Sequence, residues 1–346
     1  GDSGDESMAP NEQLLIQRFN LTGHTRPISR VLFNKDGDLI FTTSLDSSVR
    51  VWRGDSGEPV CSVTIDSAVS DLAVTADSKY FILSTSDHQV VIYELATGRR
   101  VRILEHSDYM IKGLSLGMGD EYVATYSTKV MGTGPSVTIW KLAPNPADTP
   151  TEPFAQWDLP KSDMATSIAF GPMNKSVLVG FKSGRIVKYD TGIDGGAKGE
   201  EIESIQDTFG EVRCIRMDDM QTHFIATSTK PGFARLYDAA SMGTVFEYKA
   251  DWQINSGQLH PKAGLLALGG GMEARDVTQT EQTEDCFAIL IYDAVQGTLQ
   301  DLIGGHIGPI HSLAWSPNGT ALVTGSEDGA VMLTRFDEIV NKYQFK

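Results

Sequence analysis

Two histidines and two aspartates recur at one spacing, and they are the side chains of this chain that could act chemically as pairs. His24 lies 22 residues before Asp46, His306 lies 22 residues before Asp328, and each histidine follows a glycine. A histidine beside a carboxylate can act as a general acid–base pair. A catalytic pair would not be copied into two places, however, and no serine in a Gly-x-Ser-x-Gly turn accompanies either copy. We therefore interpret both pairs as structural hydrogen-bonding partners.

The glycines and the remaining histidines are weaker candidates for chemistry. The run from Gly269 to Gly271 has the composition of a phosphate-binding loop, but no Lys-Ser or Lys-Thr follows it and no helix pattern begins after it. We interpret this run as the end of a strand where another backbone approaches closely. Four of the other histidines lack zinc spacing and are expected on the surface or in loops: His88, His223, His260 and His311. The sequence therefore predicts no catalytic residue, no metal and no cofactor.

Charge and cysteine content narrow the class of protein. The 346 residues carry a formal net charge of −16, and such an acidic surface repels phosphate backbones, which disfavours direct nucleic-acid binding. Cys61, Cys214 and Cys286 lie far apart and form neither a disulfide framework nor a metal-ligand pair, which favours a reducing compartment. The sequence shows no apolar run of membrane-spanning length and no signal-peptide pattern. We expect a cytoplasmic protein without membrane contact.

The elements that position these residues repeat along the chain. A short apolar strand that ends in an aromatic residue occurs at 49–52, 90–93, 137–140, 186–189, 234–237 and 289–292, and a seventh copy at 331–334 ends in threonine. Successive copies are separated by 41 to 55 residues, a period typical of the four-stranded blades of a propeller. Further short strands precede each copy, and Asp-Gly or Asn-Gly turns favour tight hairpins between them. The sequence thus predicts an all-β fold of seven blades.

The two chain ends are expected to close the ring. A lone blade is apolar on both faces, and a ring of blades buries all of these faces at once. Closure requires the chain ends to meet in one sheet, and residues 14–21 have the pattern of a strand before the first Gly-His pair. We therefore predict a seven-bladed β-propeller over residues 14–346, closed by pairing of the N-terminal strand with the last blade. Residues 1–13 are small, acidic and polar, and we expect them to form a disordered tail.

The spaced set of Gly-His, aspartate and tryptophan in the first copy resembles the WD repeat. This resemblance implies a buried network in which the histidine, a serine or threonine, the turn aspartate and the strand-end tryptophan bond one another. In this chain the members would be His24, Asp46 and Trp52, with Asp46 accepting from His24 and from backbone amides.

Other copies keep only part of this set. His306 and Asp328 would form the same bond in the last blade, where Thr334 supplies no indole donor. Asp87 matches the turn position in the second blade, but no histidine precedes it at the right distance. We expect His306, Asp328 and Asp87 to serve the same structural role with only part of the hydrogen-bond network.

A closer resemblance covers residues 14–345 in order. Segments 23–28, 34–39, 180–190, 305–310 and 325–329 resemble the family of i subunits of eukaryotic translation initiation factor 3, and the glycine-rich segment 267–278 is the most specific of them. The resemblance implies a non-catalytic, cytoplasmic scaffold that supports initiation on the small ribosomal subunit. In that family a C-terminal helical segment of the b subunit holds the propeller, which also contacts the g subunit. The second blade departs from the family, which has a Gly-His start and a Trp-Asp end there.

The same resemblance carries partner-binding residues over to this chain. It places the b-subunit segment near the fifth and sixth blades, where Asp238 would pair with a basic residue of the helix and Leu236 would meet its apolar stripe. The alternatives are that Leu236 belongs to the core and that Asp238 only begins a turn. Met272, Glu273 and Arg275 lie in the family-specific loop, and we assign them to assembly without a named bond.

Two rival functions stay open on the sequence. One is another WD-repeat adaptor, such as a kinase-receptor-associated or RNA-assembly propeller, but the stretch Gly-Gly-Gly-x-Glu-Ala-x-Asp-Val-Thr favours the translation scaffold. The other is an enzyme on a propeller, which would gather carboxylates or metal ligands at the mouth of the central channel.

Overall fold

The chain folds into seven antiparallel sheets of four strands each. The computed structural model describes residues 16–106, 110–128, 134–206, 210–229, 232–272 and 284–336, and the seven sheets lie within these ranges. Each sheet is one blade of a propeller, so the predicted seven-bladed all-β fold is confirmed.

The strands, numbered β1 to β28 in chain order, are four to eight residues long. Blade 1 contains β2 (Ile28–Phe33), β3 (Leu39–Ser44), β4 (Ser48–Arg53) and β5 (Pro59–Thr64). Blade 2 contains β6 (Val69–Val74), β7 (Tyr80–Thr85), β8 (Gln89–Glu94) and β9 (Arg99–His106). Blade 3 contains β10 (Met110–Leu116), β11 (Tyr122–Thr128), β12 (Ser136–Lys141) and β13 (Ala155–Asp158). Blade 4 contains β14 (Ala165–Phe170), β15 (Ser176–Phe181), β16 (Arg185–Asp190) and β17 (Glu201–Gln206).

The remaining blades follow the same plan. Blade 5 contains β18 (Val212–Met217), β19 (His223–Ser228), β20 (Phe233–Asp238) and β21 (Thr244–Lys249). Blade 6 contains β22 (Ile254–Leu259), β23 (Leu265–Gly270), β24 (Ile289–Asp293) and β25 (Leu299–Ile303). Blade 7 contains β26 (Ile310–Trp315), β27 (Ala321–Ser326), β28 (Val331–Phe336) and β1 (Ile16–Leu21). Short 3₁₀ helices occupy Met118–Asp120, Pro146–Asp148, Pro172–Asn174 and Glu284–Phe287.

The first strand of each blade faces the centre of the ring. These strands contact one another in the order β2, β6, β10, β14, β18, β22 and β26, and β26 contacts β2 again. The ring is therefore closed, with no break between the first and last blades.

The N-terminal strand closes the ring by pairing with the last blade. β1 runs antiparallel to β28, and the register runs from Ile16 opposite Phe336 to Leu21 opposite Val331. The predicted closure is confirmed, since the two ends of the chain share one sheet. The predicted tail at residues 1–13 lies outside the described residues and stays a prediction.

The core lies between the blades. Phe41 and Val51 of blade 1 pack with Val69 and Phe81 of blade 2, and the rings of Phe41 and Phe81 are 6.3 Å apart. The outermost strands are largely exposed, as in β5. Burial of apolar area stabilises by roughly 25 cal/mol per Å², so the two faces of each blade dominate the stability of the ring.

A β-bulge interrupts the first strand of every blade. One residue of that strand has no partner in the register with the second strand. These seven residues are all polar and all line a central cavity: Ser29, Ser70, Lys112, Thr166, Arg213, Asn255 and His311. Because a bulge bends and twists its strand, it directs a polar side chain into the channel while the neighbouring apolar residues stay between the blades.

Candidate partner-binding surface and its supporting network

In blade 1 the structure brings His24, Asp46 and Trp52 together through Thr42. Nδ1 of His24 lies 3.0 Å from Oδ2 of Asp46, and Nε2 of His24 lies 2.7 Å from Oγ1 of Thr42. The indole N–H of Trp52 donates to the same Oγ1 at 2.9 Å. The resemblance called for a serine or threonine in this network without naming its position, which is Thr42 on β3.

The protonation of this network follows from its donors and acceptors. An ionised Asp46 only accepts, so Nδ1 of His24 carries the proton and Nε2 accepts from Thr42. Burial lowers the pKa of His24, which keeps the ring neutral. Burial alone would raise the pKa of Asp46, but hydrogen bonds from Ser48, His24 and the Thr25 amide outweigh it and lower that pKa.

Asp46 also fixes the turn between the second and third strands of blade 1. Its carboxylate accepts from the backbone N–H of Thr25 at 3.1 Å and from that of Ser48 at 3.0 Å. The side chain thus joins the start of the blade to its hairpin, which is a structural task.

Blade 7 repeats only half of this arrangement. Nε2 of His306 lies 2.7 Å from Oγ1 of Thr324, as His24 does from Thr42. The expected hydrogen bond from His306 to Asp328 is not formed. Among the described residues, Nδ1 of His306 has no hydrogen-bond partner. Asp328 instead accepts from the Ser326 hydroxyl and from the Ala330 amide within its own turn. Burial lowers the pKa of His306 to about 4, so this ring is also neutral.

Asp87 holds the corresponding turn in blade 2. Its Oδ1 accepts from the hydroxyl of Ser67 at 2.8 Å and from that of Thr85. In blade 2 Ser67 therefore donates to the turn aspartate, as His24 does in blade 1.

His260 lies in a loop, as the sequence led us to expect, but its side chain is buried. Its Nε2 donates to the carbonyl oxygen of Gly319 at 2.7 Å, and its Nδ1 accepts from the amides of Lys262 and Ala263. His260 therefore ties blade 6 to blade 7. Its place directly after a first strand, where Asn34 and Ser316 also stand, was the signal that could have revealed this.

The inner turns, which join the first and second strands of each blade, contact one another around one end of the propeller. They comprise residues 34–38, 75–79, 117–121, 171–175, 218–222, 260–264 and 316–320. Five neighbouring pairs are joined by a hydrogen bond: Asn34 Nδ2 to Ser78 Oγ at 3.0 Å, the Ala76 amide to Asp120 Oδ2 at 2.6 Å, the Met118 amide to Asn174 Oδ1 at 2.8 Å, the Met173 amide to Gln221 Oε1 at 2.9 Å, and His260 Nε2 to the Gly319 carbonyl oxygen at 2.7 Å. The inner turns thus form a connected rim around the channel.

The central cavity has a volume of about 690 Å³ and contains several basic side chains. Arg216 donates to the carbonyl oxygen of Leu313 at 2.7 Å, and burial lowers its pKa to about 10. Asp71 uses its two oxygens to accept from the amides of Leu72 and Leu114. This carboxylate therefore joins blade 2 to blade 3. Within the described part of the chain, no group of three or more His, Cys, Asp or Glu side chains is arranged to hold a metal ion.

The glycine run of blade 6 is a point of close approach, as the sequence predicted. A Cβ on Gly270 would lie 2.0 Å from the carbonyl oxygen of Gln253, and Gly271 has φ +136. The run ends β23 and leads to Met272, which is half-buried. Glu273 and Arg275 lie outside the described residues, so the assembly loop stays a prediction.

Leu236 lies on β20, the third strand of blade 5. It is half-buried and packs against a core cluster that includes Ile225 and Tyr248. The side chain is therefore partly a core residue, and the rest of its surface is exposed.

Asp238 ends the same strand and begins a turn. Its Oδ1 accepts from the amides of Ala240 at 3.1 Å and Ser241 at 2.8 Å, and these bonds lower its pKa. Asp293 makes the same two bonds in blade 6, to Val295 and Gln296. The turn role is thus common to both blades, and it leaves an ionised carboxylate at the end of β20.

Exposed apolar side chains surround this part of blades 5 and 6. They lie on the outer strands β21 and β25 and in the turn before β25: Val245, Val295, Leu299 and Leu302. We call these four residues the outer-strand patch. Exposed apolar side chains in one region of a surface are typical of protein-protein contacts.

These observations define a WD-repeat β-propeller whose recurrent polar residues form hydrogen bonds within turns and between strands. The family described as WD domain, G-beta repeat matches residues 15–53 and 297–334, which include the two Gly-His pairs. Among the described residues, no helix has the length and apolar character needed to cross a membrane.

The chain is similar over nearly its whole length to proteins named eukaryotic translation initiation factor 3 subunit I. It is 27% identical to that of Saccharomyces cerevisiae over 332 residues, which cover 93% of both chains. It is 29% identical to that of Dictyostelium discoideum over 326 residues, covering 93% of this chain and 95% of the relative. The protein of Rattus norvegicus is 27% identical over 329 residues, with 94% and 98% covered. The resemblance to this family that the sequence indicated is confirmed.

Proposed function

We propose that this chain is a non-catalytic scaffold subunit of translation initiation factor 3. The observation that carries the proposal is the end-to-end similarity to subunits I from a yeast, an amoeba and a mammal. The polar residues that could have suggested an enzyme are used in holding turns and blades together, as His24 and Asp46 are. A ring whose polar groups hold its turns and blades rigidly together is suited to be a scaffold.

The b subunit is the first proposed partner, bound at blades 5 and 6. An amphipathic helix docks by laying an apolar stripe on an apolar surface, with charged pairs at the edge. The outer-strand patch supplies exposed apolar side chains, Leu236 lies on the adjoining strand, and Asp238 supplies the negative charge. A basic residue of the helix would pair with Asp238 while the turn bonds of its Oδ1 remain.

The g subunit is the second proposed partner, and the small ribosomal subunit is reached through the complex. A net charge of −16 opposes direct contact with a phosphate backbone, so the chain works through protein partners. The proposed location is the cytoplasm, with no membrane contact. Met272, Glu273 and Arg275 are proposed to contribute to assembly within the complex.

The proposal is tested by affinity purification of the tagged chain from an extract of its source. The expected result is recovery of the other subunits of the factor together with the small ribosomal subunit. An eluate that contains neither would reject the translation role.

The docking site is tested by calorimetric titration with the recombinant C-terminal segment of the b subunit. Asp238→Asn keeps the turn acceptor but removes the charge, and it is expected to weaken binding by about fivefold to tenfold. Asp190→Asn makes the same chemical change at the corresponding strand end of blade 4, where Asp190 accepts from the Gly192 amide at 2.7 Å. Equal affinities of the two variants would contradict docking at Asp238.

A further inference from the structure

Three neighbouring inner turns expose a methionine each. Met118, Met173 and Met220 lie in the inner turns of blades 3, 4 and 5 and are 53%, 63% and 80% exposed. We call these three residues the methionine surface. These three exposed apolar side chains lie in the inner turns of three consecutive blades, at the rim of the channel.

The turn itself does not require an apolar residue. Met173 and Met220 occupy the third position of their turns, where the turns of blades 1, 2, 6 and 7 have polar residues: Asp36, Asp77, Lys262 and Asn318. Met118 occupies the second position of its turn, which is Lys35 in blade 1 and Ala76 in blade 2. The same turn is therefore built in this molecule with polar side chains, which cost less to expose to water. Met173 and Met220 are therefore not required by the fold of the turn.

The backbone beneath the methionine surface is held in place. The Met118 amide donates to Asn174 Oδ1, and Asn174 Nδ2 donates back to the Met118 carbonyl oxygen at 2.8 Å. The Met173 amide donates to Gln221 of blade 5. Fixed backbones that display flexible thioether side chains are suited to binding varied apolar surfaces.

Acidic residues flank these methionines. Asp120 and Glu121 lie beside Met118, and Asp218 and Asp219 lie just before Met220. The basic residue in these turns, Lys175, lies 3.2 Å from Asp194. The charge around the methionine surface is therefore negative and complements a basic partner.

We propose that the methionine surface is a docking site for an amphipathic segment of a partner protein that carries lysine or arginine beside apolar side chains. The apolar side chains of the segment contact the three methionines, and its basic residues face the acids of the turns. This site lies at the channel rim of blades 3 to 5 and is separate from the outer-strand patch of blades 5 and 6. It stands on the structure alone and does not depend on a role in translation.

The test is a titration of the full chain, labelled with ¹³C at the methionine methyl groups, with a designed helical peptide. The probe has leucine on one face and lysine on the other, and a matched peptide has glutamate in place of lysine. Met164 is the internal control, because it is exposed but lies before β14, at the opposite end of its blade. We expect saturable shifts of the Met118, Met173 and Met220 methyl signals with the lysine peptide and none for Met164.

Substitution separates apolar docking from charge attraction. The triple variant Met118→Gln, Met173→Gln and Met220→Gln is expected to lose about tenfold or more in affinity for the lysine peptide, while Met164→Gln binds like the unmodified chain. Unchanged signals of the remaining methionines show that the variant is folded. The proposal is overturned if the three methyl signals do not move, if the glutamate peptide binds equally well, or if the triple variant keeps full affinity.

Discussion

His24 and His306 occupy the same place in blades 1 and 7, and the residue at the end of the third strand makes their surroundings differ. In blade 1 Trp52 donates to Thr42, and the histidine bonds Asp46. In blade 7 the corresponding residue is Thr334, which is buried with an unbonded Oγ1. Loss of the indole thus accompanies loss of the histidine–aspartate bond, and the family pattern is only partly kept at the last blade.

Asp46→Ala is expected to destabilise the protein by roughly 1–3 kcal/mol, because it leaves Nδ1 of the buried His24 and two amides without their acceptor. Asp328→Ala is the matched control in blade 7 and should cost less, since Asp328 does not bond His306. Chemical denaturation of both variants gives the two free energies. Equal losses would show that the histidine bond adds nothing.

The buried histidines should make stability depend on acid pH. Burial lowers the pKa of His306 from its ordinary 6.5 to about 4, so the unfolded chain binds the proton more readily than the folded one. Stability from this group is complete above about pH 6.5 and is lost as the pH falls toward 4, by up to about 3 kcal/mol. His24 and His260 shift in the same direction.

His306→Gln removes this titration and should flatten the pH dependence of the free energy of unfolding between pH 7 and 4.5. Parallel urea titrations of the variant and the unmodified chain measure the difference. An unchanged slope would show that His306 is protonated in the folded state at mildly acid pH.

At the scale of the elements, periodicity revealed the blades but not the contacts between them. The strand-end aromatics at 52, 93, 140, 189, 237 and 292 are buried, and each lies on the third strand of its blade. Their spacing therefore located six blades, and the residues of β28 located the seventh. Chain closure was also predictable, because a ring needs a partner for its last sheet and β1 had the pattern of a strand.

The bulges and the rim of inner turns left no comparable signal. A bulge shifts the register by one residue without breaking the apolar pattern of a short strand, so the polar lining of the channel could not be assigned. The rim depends on turns that are distant in sequence, such as Met173 and Gln221. The burial of His260 was not predicted, since its acceptor is on the next blade.

The closing strand should determine the stability of the whole ring. A chain that starts at residue 22 lacks β1, which leaves β28 as an unpaired edge and removes the buried Leu21. Its free energy of unfolding should fall by more than about 4 kcal/mol. A chain that starts at residue 14 keeps β1 and should match the full chain. Equal stability of both truncations by denaturant unfolding would contradict the closure.

At the scale of the whole molecule, most of the net negative charge lies outside the central cavity. The cavity lining combines basic side chains such as Arg213 and Arg216 with acidic ones such as Asp71, whereas the chain as a whole carries −16. A basic partner is therefore attracted to the outside of the propeller. Long-range attraction of this kind acts mainly on the rate of association.

The rate at which the proposed b-subunit segment associates should fall by about tenfold or more between 50 and 500 mM salt, because the Debye length shrinks from roughly 14 to 4 Å. The dissociation rate should change far less, since salt does not screen the apolar contacts at the outer-strand patch. Surface plasmon resonance at several salt concentrations separates the two rates. Asp238→Asn should flatten the salt dependence only slightly, because it removes one charge of many, whereas an association rate independent of salt would exclude steering by the acidic surface.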